Sequence, residues 1–135
     1  MDFHLKIAAS DRAFYDGPCQ SLILPTPQGQ YGILANHESM VVGIDAGQLR
    51  YQAAGAWTTV VIGVGFARIH DNMVIILADT VELPDEIDFN RALEAKRMAE
   101  ESMLDKRSRQ EYYQGKLAMA RAMARLSVKP KSLDD

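Results

Sequence analysis

The chain has 135 residues, 47% of them apolar, one cysteine and a formal net charge of −3. That length limits it to one domain, or one domain with an appendage, and the lone Cys19 excludes a disulfide framework or a thiolate metal cluster. No apolar run approaches the ~20 residues needed to cross a bilayer, and the charge balance lacks the basic footprint of a nucleic-acid binder.

The opening Met1-Asp2-Phe3-His4-Leu5 lacks the basic region and long apolar stretch of a secretory signal. The chain is therefore expected in the cytoplasm, touching any membrane only through partners. Phe3, Leu5 and Ile7 alternate with His4, Lys6 and Ala8, the period of a strand. Asp11-Arg12 and Asp16-Gly17-Pro18 read as turns. A short apolar run from Ser21 is closed by Pro25 and Pro27. Gln28-Gly29-Gln30 predicts a tight turn, because Gly29 tolerates positive φ. Strands follow over 31–34, 41–44 and 48–51, with Asp45-Ala46-Gly47 turning before the last. Ala54-Gly55-Ala56 predicts a hairpin into 57–62, and His70-Asp71-Asn72 another between 66–69 and 73–78. Gly63-Val64-Gly65 is followed by neither Lys-Ser/Thr nor a helix, so it predicts a bulge or close strand packing, not a phosphate loop. Short strands at this spacing predict an antiparallel β sandwich or barrel.

The pattern changes near Pro84. Residues 1–84 carry 4 Lys+Arg and 8 Asp+Glu, whereas residues 85–135 carry 11 and 10. We divide the chain there, into a β domain over 1–84 and a helical arm over 85–135. Asp88 is placed to cap a helix. Ala92, Ala95, Ala99 and Met103 form a stripe along one helix face. Asp105 and Ser108 suit a short connection, and Tyr113, Leu117, Ala120 and Ala124 form a second stripe. Two stripes with a short break predict an antiparallel two-helix hairpin. An Ala-lined seam lets the helices approach closely but buries little area, so the hairpin is expected to be weakly held. Pro130 and the polar residues 131–135 close the chain.

Signals for catalysis are sparse. His4 lies on a strand, His70 in a hairpin turn and His37 in Asn36-His37-Glu38. No second His lies at helical spacing, and no HExxH or CxxC pattern supports a metal site. His37 is read as fixing its loop. A small sandwich enzyme would have to rely on His37 and Glu38.

Two blocks are more specific. One is Pro25-Thr26-Pro27-Gln28-Gly29-Gln30-Tyr31-Gly32-Ile33-Leu34-Ala35-Asn36-His37-Glu38, and the other is Ile87-Asp88-Phe89-Asn90-Arg91-Ala92. Between them stand Gly47-Gln48-Leu49, Gly63-Val64-Gly65-Phe66-Ala67 and Ile75-Ile76-Leu77-Ala78-Asp79. In this order the chain resembles the epsilon subunit of bacterial F-type ATP synthase, over residues 3 to about 126. The resemblance implies a sandwich of about ten strands followed by a hairpin. It implies a noncatalytic subunit of the central rotor stalk, coupling ion translocation to ATP synthesis, against the gamma subunit and the c-ring. The complex would sit on the cytoplasmic face of the cell membrane. The hairpin would lie folded on the sandwich, or extend into the alpha/beta catalytic head and inhibit ATP hydrolysis.

Some bacterial members of that family bind ATP, as a regulatory ligand and not a required cofactor, through an Ile/Leu-Asp-x-x-Arg-Ala sequence. Ile87, Asp88, Arg91 and Ala92 match it. The family's upstream acid falls on Glu82, and its two second-helix arginines fall on Arg121 and Arg125. One turn apart, those arginines can grip phosphates by charge-assisted bonds. Glu82 or Asp88 can accept from the adenine amine or order Arg91. A further first-helix arginine of the family aligns with Met98, which leaves Arg97 as a partial substitute. The plainer reading is that Asp88 only caps, Arg91 only pairs with it, and Arg121 and Arg125 only touch acidic surfaces of the head. A free-standing nucleotide-binding module of the same fold is the alternative function.

Overall fold

The computed structural model describes residues 1–105 and 109–129. Ser108, Pro130 and residues 131–135 lie outside the described residues. The strands are β1 (Phe3–Ala9), β2 (Arg12–Cys19), β3 (Ser21–Thr26), β4 (Gly29–Ile33), β5 (Met40–Ile44), β6 (Gly47–Ala53), β7 (Ala56–Ile62), β8 (Gly65–His70), β9 (Met73–Ala78) and β10 (Val81–Glu82). A 3-10 turn over Pro84–Glu86 leads into helices α1 (Phe89–Asp105) and α2 (Arg109–Leu126).

The strands form two five-stranded sheets, in the orders β2-β1-β9-β8-β5 and β10-β7-β6-β3-β4. Alternation along each strand sends Leu5, Ile7, Leu22, Leu24, Leu49, Val60, Ile62, Ile69 and Ile76 between the sheets, all essentially inaccessible to water. Each such buried Leu or Ile stabilises the fold by roughly 1.5–3 kcal/mol. Pairing is antiparallel except between β1 and β9, which run parallel from His4↔Met73 to Ala9↔Ala78. This parallel pair needs no crossover helix, because β3, β4, β6 and β7 of the second sheet lie between the two strands in the chain.

Asp16-Gly17-Pro18, expected as a turn, lies inside β2. Among the described residues β2 is an edge strand, paired with β1, so the missing N–H of Pro18 costs the ladder little. The Tyr15 hydroxyl donates to the Pro18 carbonyl at 2.6 Å and covers the strand beside Gly17. Gly29 has φ +116 and Gly55 φ 78, the freedom glycine supplies to such turns, whereas Ala54 at φ 51 is held there by the two-residue hairpin. At Gly65 an added Cβ would stand 2.0 Å from the Leu77 carbonyl oxygen, which accounts for that glycine as close strand packing. His37 fixes its loop: Nε2 lies 2.9 Å from the Tyr31 hydroxyl and Nδ1 2.9 Å from the Glu38 carbonyl.

The two helices form the expected hairpin. On α1, Ala92 and Ala99 are buried and Ala95 and Met103 half-buried. On α2 the expected stripe holds at its C-terminal end, where Ala124 is buried and Ala120 half-buried, but not at its start: Tyr113 is 62% and Leu117 40% exposed, and Gly115 and Ala122 are buried instead. The helices bury their smallest residues because only those permit close approach. A Cβ on Gly115 would already stand 3.1 Å from Met103 Cγ and 3.5 Å from the Ala99 carbonyl oxygen.

Candidate functional site

The arm meets the sandwich at β6 and β7 of the second sheet. Val60, Val61 and Ile62 form an unbroken apolar run. Val60 and Ile62 fill the sandwich, whereas Val61 faces outward and is buried with Ile87 and Ala124. Ala46, Phe89 and Val128 flank this small cluster. Polar contacts complete the junction. Gln48 donates from Nε2 to Ser127 Oγ at 3.0 Å. Arg125 donates from Nε to Glu82 Oε1 at 2.7 Å, and Arg121 from Nη1 to Asp79 Oδ2 at 3.4 Å.

The crossing segment is fixed independently. Glu86 accepts the Leu83 N–H at 2.8 Å, and both its oxygens accept from Arg12 at 3.0 and 3.1 Å. The hydrogen bonds from Arg12, and then that from Leu83, hold the Glu86 carboxyl below its ordinary value. The same pair pushes the Arg12 guanidinium up, and that guanidinium lies 5.0 Å over the Phe14 ring. Asp88 then caps α1, with Oδ1 accepting the Arg91 N–H at 3.1 Å and its carbonyl accepting from Ala92.

Between these contacts lies a cleft of about 280 Å³, lined by Glu82, Glu86, Asp88, Arg91, Ala92, Ala95 and Arg125. Five of the seven residues singled out by sequence, Glu82, Asp88, Arg91, Ala92 and Arg125, therefore stand on one concave surface. Ile87 does not line it; its side chain is buried beneath, against Val61 and Ala124. Arg121 does not line it either, and pairs with Asp79. Met98 is 57% exposed and stands outside the cleft. Arg97 does not take its place. One residue earlier, it points about 100° around the helix from Met98, where Glu94 and Glu101 engage it.

The lining carries three carboxylates and two guanidiniums. Arg12, from outside, neutralises Glu86, and Arg125 is paired with Glu82. The Arg91 guanidinium has no carboxylate in ion-pair reach among the described residues. A ligand with an anionic end and a hydrogen-bond-donating end matches such a surface. Its anion would face Arg91 and Arg125, and its donor Glu82 or Asp88. Sequence reasoning missed Arg12, Asp79 and Gln48, each of which meets a partner at least 42 residues away.

Comparison with known proteins bears on the whole chain. Residues 2–84 match the family model of the ATP synthase delta/epsilon chain beta-sandwich domain, and residues 85–129 that of its long alpha-helix domain. The ATP synthase epsilon chain of Ruminiclostridium cellulolyticum is 45% identical over 126 residues, 93% of this chain and 94% of that one. That of Caldanaerobacter subterraneus subsp. tengcongensis is 38% identical over 130 residues, 96% and 94% of the two chains. The chloroplastic chain of Chara vulgaris is 33% identical over 128 residues, 95% and 96%. In fold, the chain is similar to one in the cryo-EM structure of the Euglena gracilis mitochondrial ATP synthase (OSCP/F1/c-ring). The TM-score is 0.77 at 24% identity, over 91% of this chain and 78% of that one.

Proposed function

This chain belongs to the ATP synthase delta/epsilon chain family, and from that premise we propose that it is a noncatalytic rotor subunit whose arm is an ATP-sensitive brake on hydrolysis. It seats on the gamma subunit and c-ring at the cytoplasmic face of the membrane, and so couples ion translocation to ATP synthesis. An apolar face is available for such a partner: Val41, Phe66, Met73 and Leu77 stand exposed on the outer side of the first sheet. Phe66 lies directly between Gly43 and Leu77 across its neighbouring strands.

The observation that carries the regulatory reading is the cleft. Glu82 comes from the sandwich, Asp88 from the cap of α1, Arg91 and Ala92 from α1 and Arg125 from α2, so the surface exists only while the arm is docked. A ligand that binds there stabilises the docked state by RT ln(1 + [L]/Kd), ~2.7 kcal/mol at a hundred times Kd. When ATP falls, the arm is released, extends toward the alpha/beta head and blocks hydrolysis.

The test joins arm to sandwich. Gln48→Cys and Ser127→Cys, bridged by a short bis-maleimide, hold α2 on β6 where the parent side chains already hydrogen-bond. The reconstituted complex carrying the bridge should hydrolyse ATP without inhibition at low ATP, unlike its unbridged control. Equal turnover of bridged and unbridged complexes at every ATP concentration overturns the brake.

A further inference from the structure

We propose that Asp79 is a built-in competitor for nucleotide phosphate, which withholds Arg121 from the cleft and so sets the ATP concentration at which the arm responds. This rests on the reading of the cleft as an ATP site.

Arg121 and Arg125 lie one turn apart on α2, so their side chains leave the same helix face. Yet only Arg125 lines the cleft. The difference is the partner. Arg125 Nε is held by Glu82, itself a cleft residue, whereas Arg121 Nη1 is held at 3.4 Å by Asp79, which is not. Asp79 follows β9, where its N–H donates to the Val64 carbonyl at 3.0 Å.

The position of that carboxylate depends on Gly63. A Cβ on Gly63 would fall 1.7 Å from Asp79 Oδ1 and 2.9 Å from its Cγ. The carboxyl group thus occupies space that every other residue type at 63 would fill. Thr80 Oγ1, 3.4 Å from Oδ1, borders it. This gives Gly63 a role beyond strand packing: it lets an acid of the sandwich reach α2.

An exposed ion pair is a weak hold, since water and salt compete for both partners. The side chains of Asp79 and Arg121 are 41% and 34% exposed, which keeps the exchange reversible. A phosphate must displace the carboxylate before it gains Arg121. The pair therefore acts twice: it helps dock the arm without nucleotide, and it reduces what nucleotide gains on arriving.

The experiment measures ATP binding by titration calorimetry on the full chain bridged between Gln48→Cys and Ser127→Cys, so that docking cannot vary. Native Cys19 is buried and does not take part. Asp79→Asn, which keeps shape and removes charge, should bind ATP roughly two- to fivefold more tightly than the bridged parent, the range spanned by exposed pairs. Gly63→Ala keeps the carboxylate but pushes it aside, and should shift affinity in the same direction. In the unbridged, nucleotide-free chain, energy transfer between dyes on sandwich and arm should show Asp79→Asn less docked than the parent. Unchanged or weaker ATP binding by bridged Asp79→Asn, while the bridged parent binds, overturns the competitor and leaves the ATP site standing. No ATP binding by the bridged parent overturns both.

Discussion

Arg91→Ala separates ligand binding from folding. Arg91 is exposed at the third position of α1, and its one bond to the cap comes from the backbone N–H, which survives the substitution. Its guanidinium has no carboxylate in ion-pair reach among the described residues. Alanine is a strong helix former, so stability without nucleotide should stay within about 0.5 kcal/mol of the parent. One charge-assisted bond contributes about 1.5–3 kcal/mol, so its loss weakens ATP binding roughly tenfold to a hundredfold. At an ATP concentration a hundred times the parent Kd, the parent gains ~2.7 kcal/mol, and a variant weakened about thirtyfold gains ~0.9 kcal/mol. Thermal melting of helix ellipticity, with and without ATP, reads both quantities. Arg125→Ala is the control. It leaves Glu82, 27% exposed, without its partner, and should loosen the arm even without nucleotide. If ATP stabilises Arg91→Ala as much as the parent, Arg91 does not face the ligand and the plainer reading of Asp88-Arg91 as a mere helix start prevails.

Gly115→Leu should force the helices apart at Met103 and lower hairpin stability by about 1–3 kcal/mol, seen as earlier loss of helix ellipticity with the sandwich transition unmoved. Glu86 has a folded-state pKa below its ordinary 4.5. Its contribution is therefore complete above that ordinary value and is lost as pH falls through the lowered one. Acid should loosen the junction only below about pH 4.5, and Arg12→Gln should flatten that part of the stability–pH curve, followed by melting temperature. Burial pushes the Cys19 thiol up, so an aromatic disulfide reagent should label it only on unfolding; stoichiometric labelling of the native chain would contradict its placement in the core.

The sandwich was legible where local chemistry decides: alternation in β1, positive φ at Gly29 and the Ala54-Gly55 turn all follow from residues near one another. So was the start of α1, because Asp88 caps it from within its own turn. β2 was not, because whether Asp16-Gly17-Pro18 turns or extends depends on the strand being an edge, a property of the whole sheet. The first half of the α2 stripe fails because apolar spacing alone does not say which residues fit a close helix–helix contact; Ala120 and Ala124 do face inward, Tyr113 and Leu117 do not. In a close-packed Ala hairpin steric fit wins, so Gly115 is inside and Tyr113 outside. Val61 did carry a signal: three successive apolar residues in β7 imply that both faces are covered. Of the site, the residues on α1 and the Glu82–Arg125 pair could be placed together by family resemblance. Pairs such as Arg12–Glu86, 74 residues apart, leave no periodic trace, since a single exposed arginine is ordinary surface composition.

The same preference for small residues bears on how the arm works. A ligand shifts a docked–released equilibrium only by its differential affinity, and ~2.7 kcal/mol is available at a hundred times Kd. A junction held by several fully buried Leu or Ile, at roughly 1.5–3 kcal/mol each, would stay docked whatever the nucleotide level. Instead, the buried contact between arm and sandwich is centred on Val61, Ile87 and Ala124, supplemented by two partly exposed ion pairs and a glutamine. Ile87 belongs to the crossing segment, so what travels with α2 is the single methyl of Ala124 and the half-buried Val128 that follows it. Ala124 is already buried against Val61 and Ile87, so Ala124→Leu would overfill that contact at a cost of about 1–3 kcal/mol, push the equilibrium toward release, and should keep hydrolysis inhibited even at ATP concentrations that relieve the parent complex.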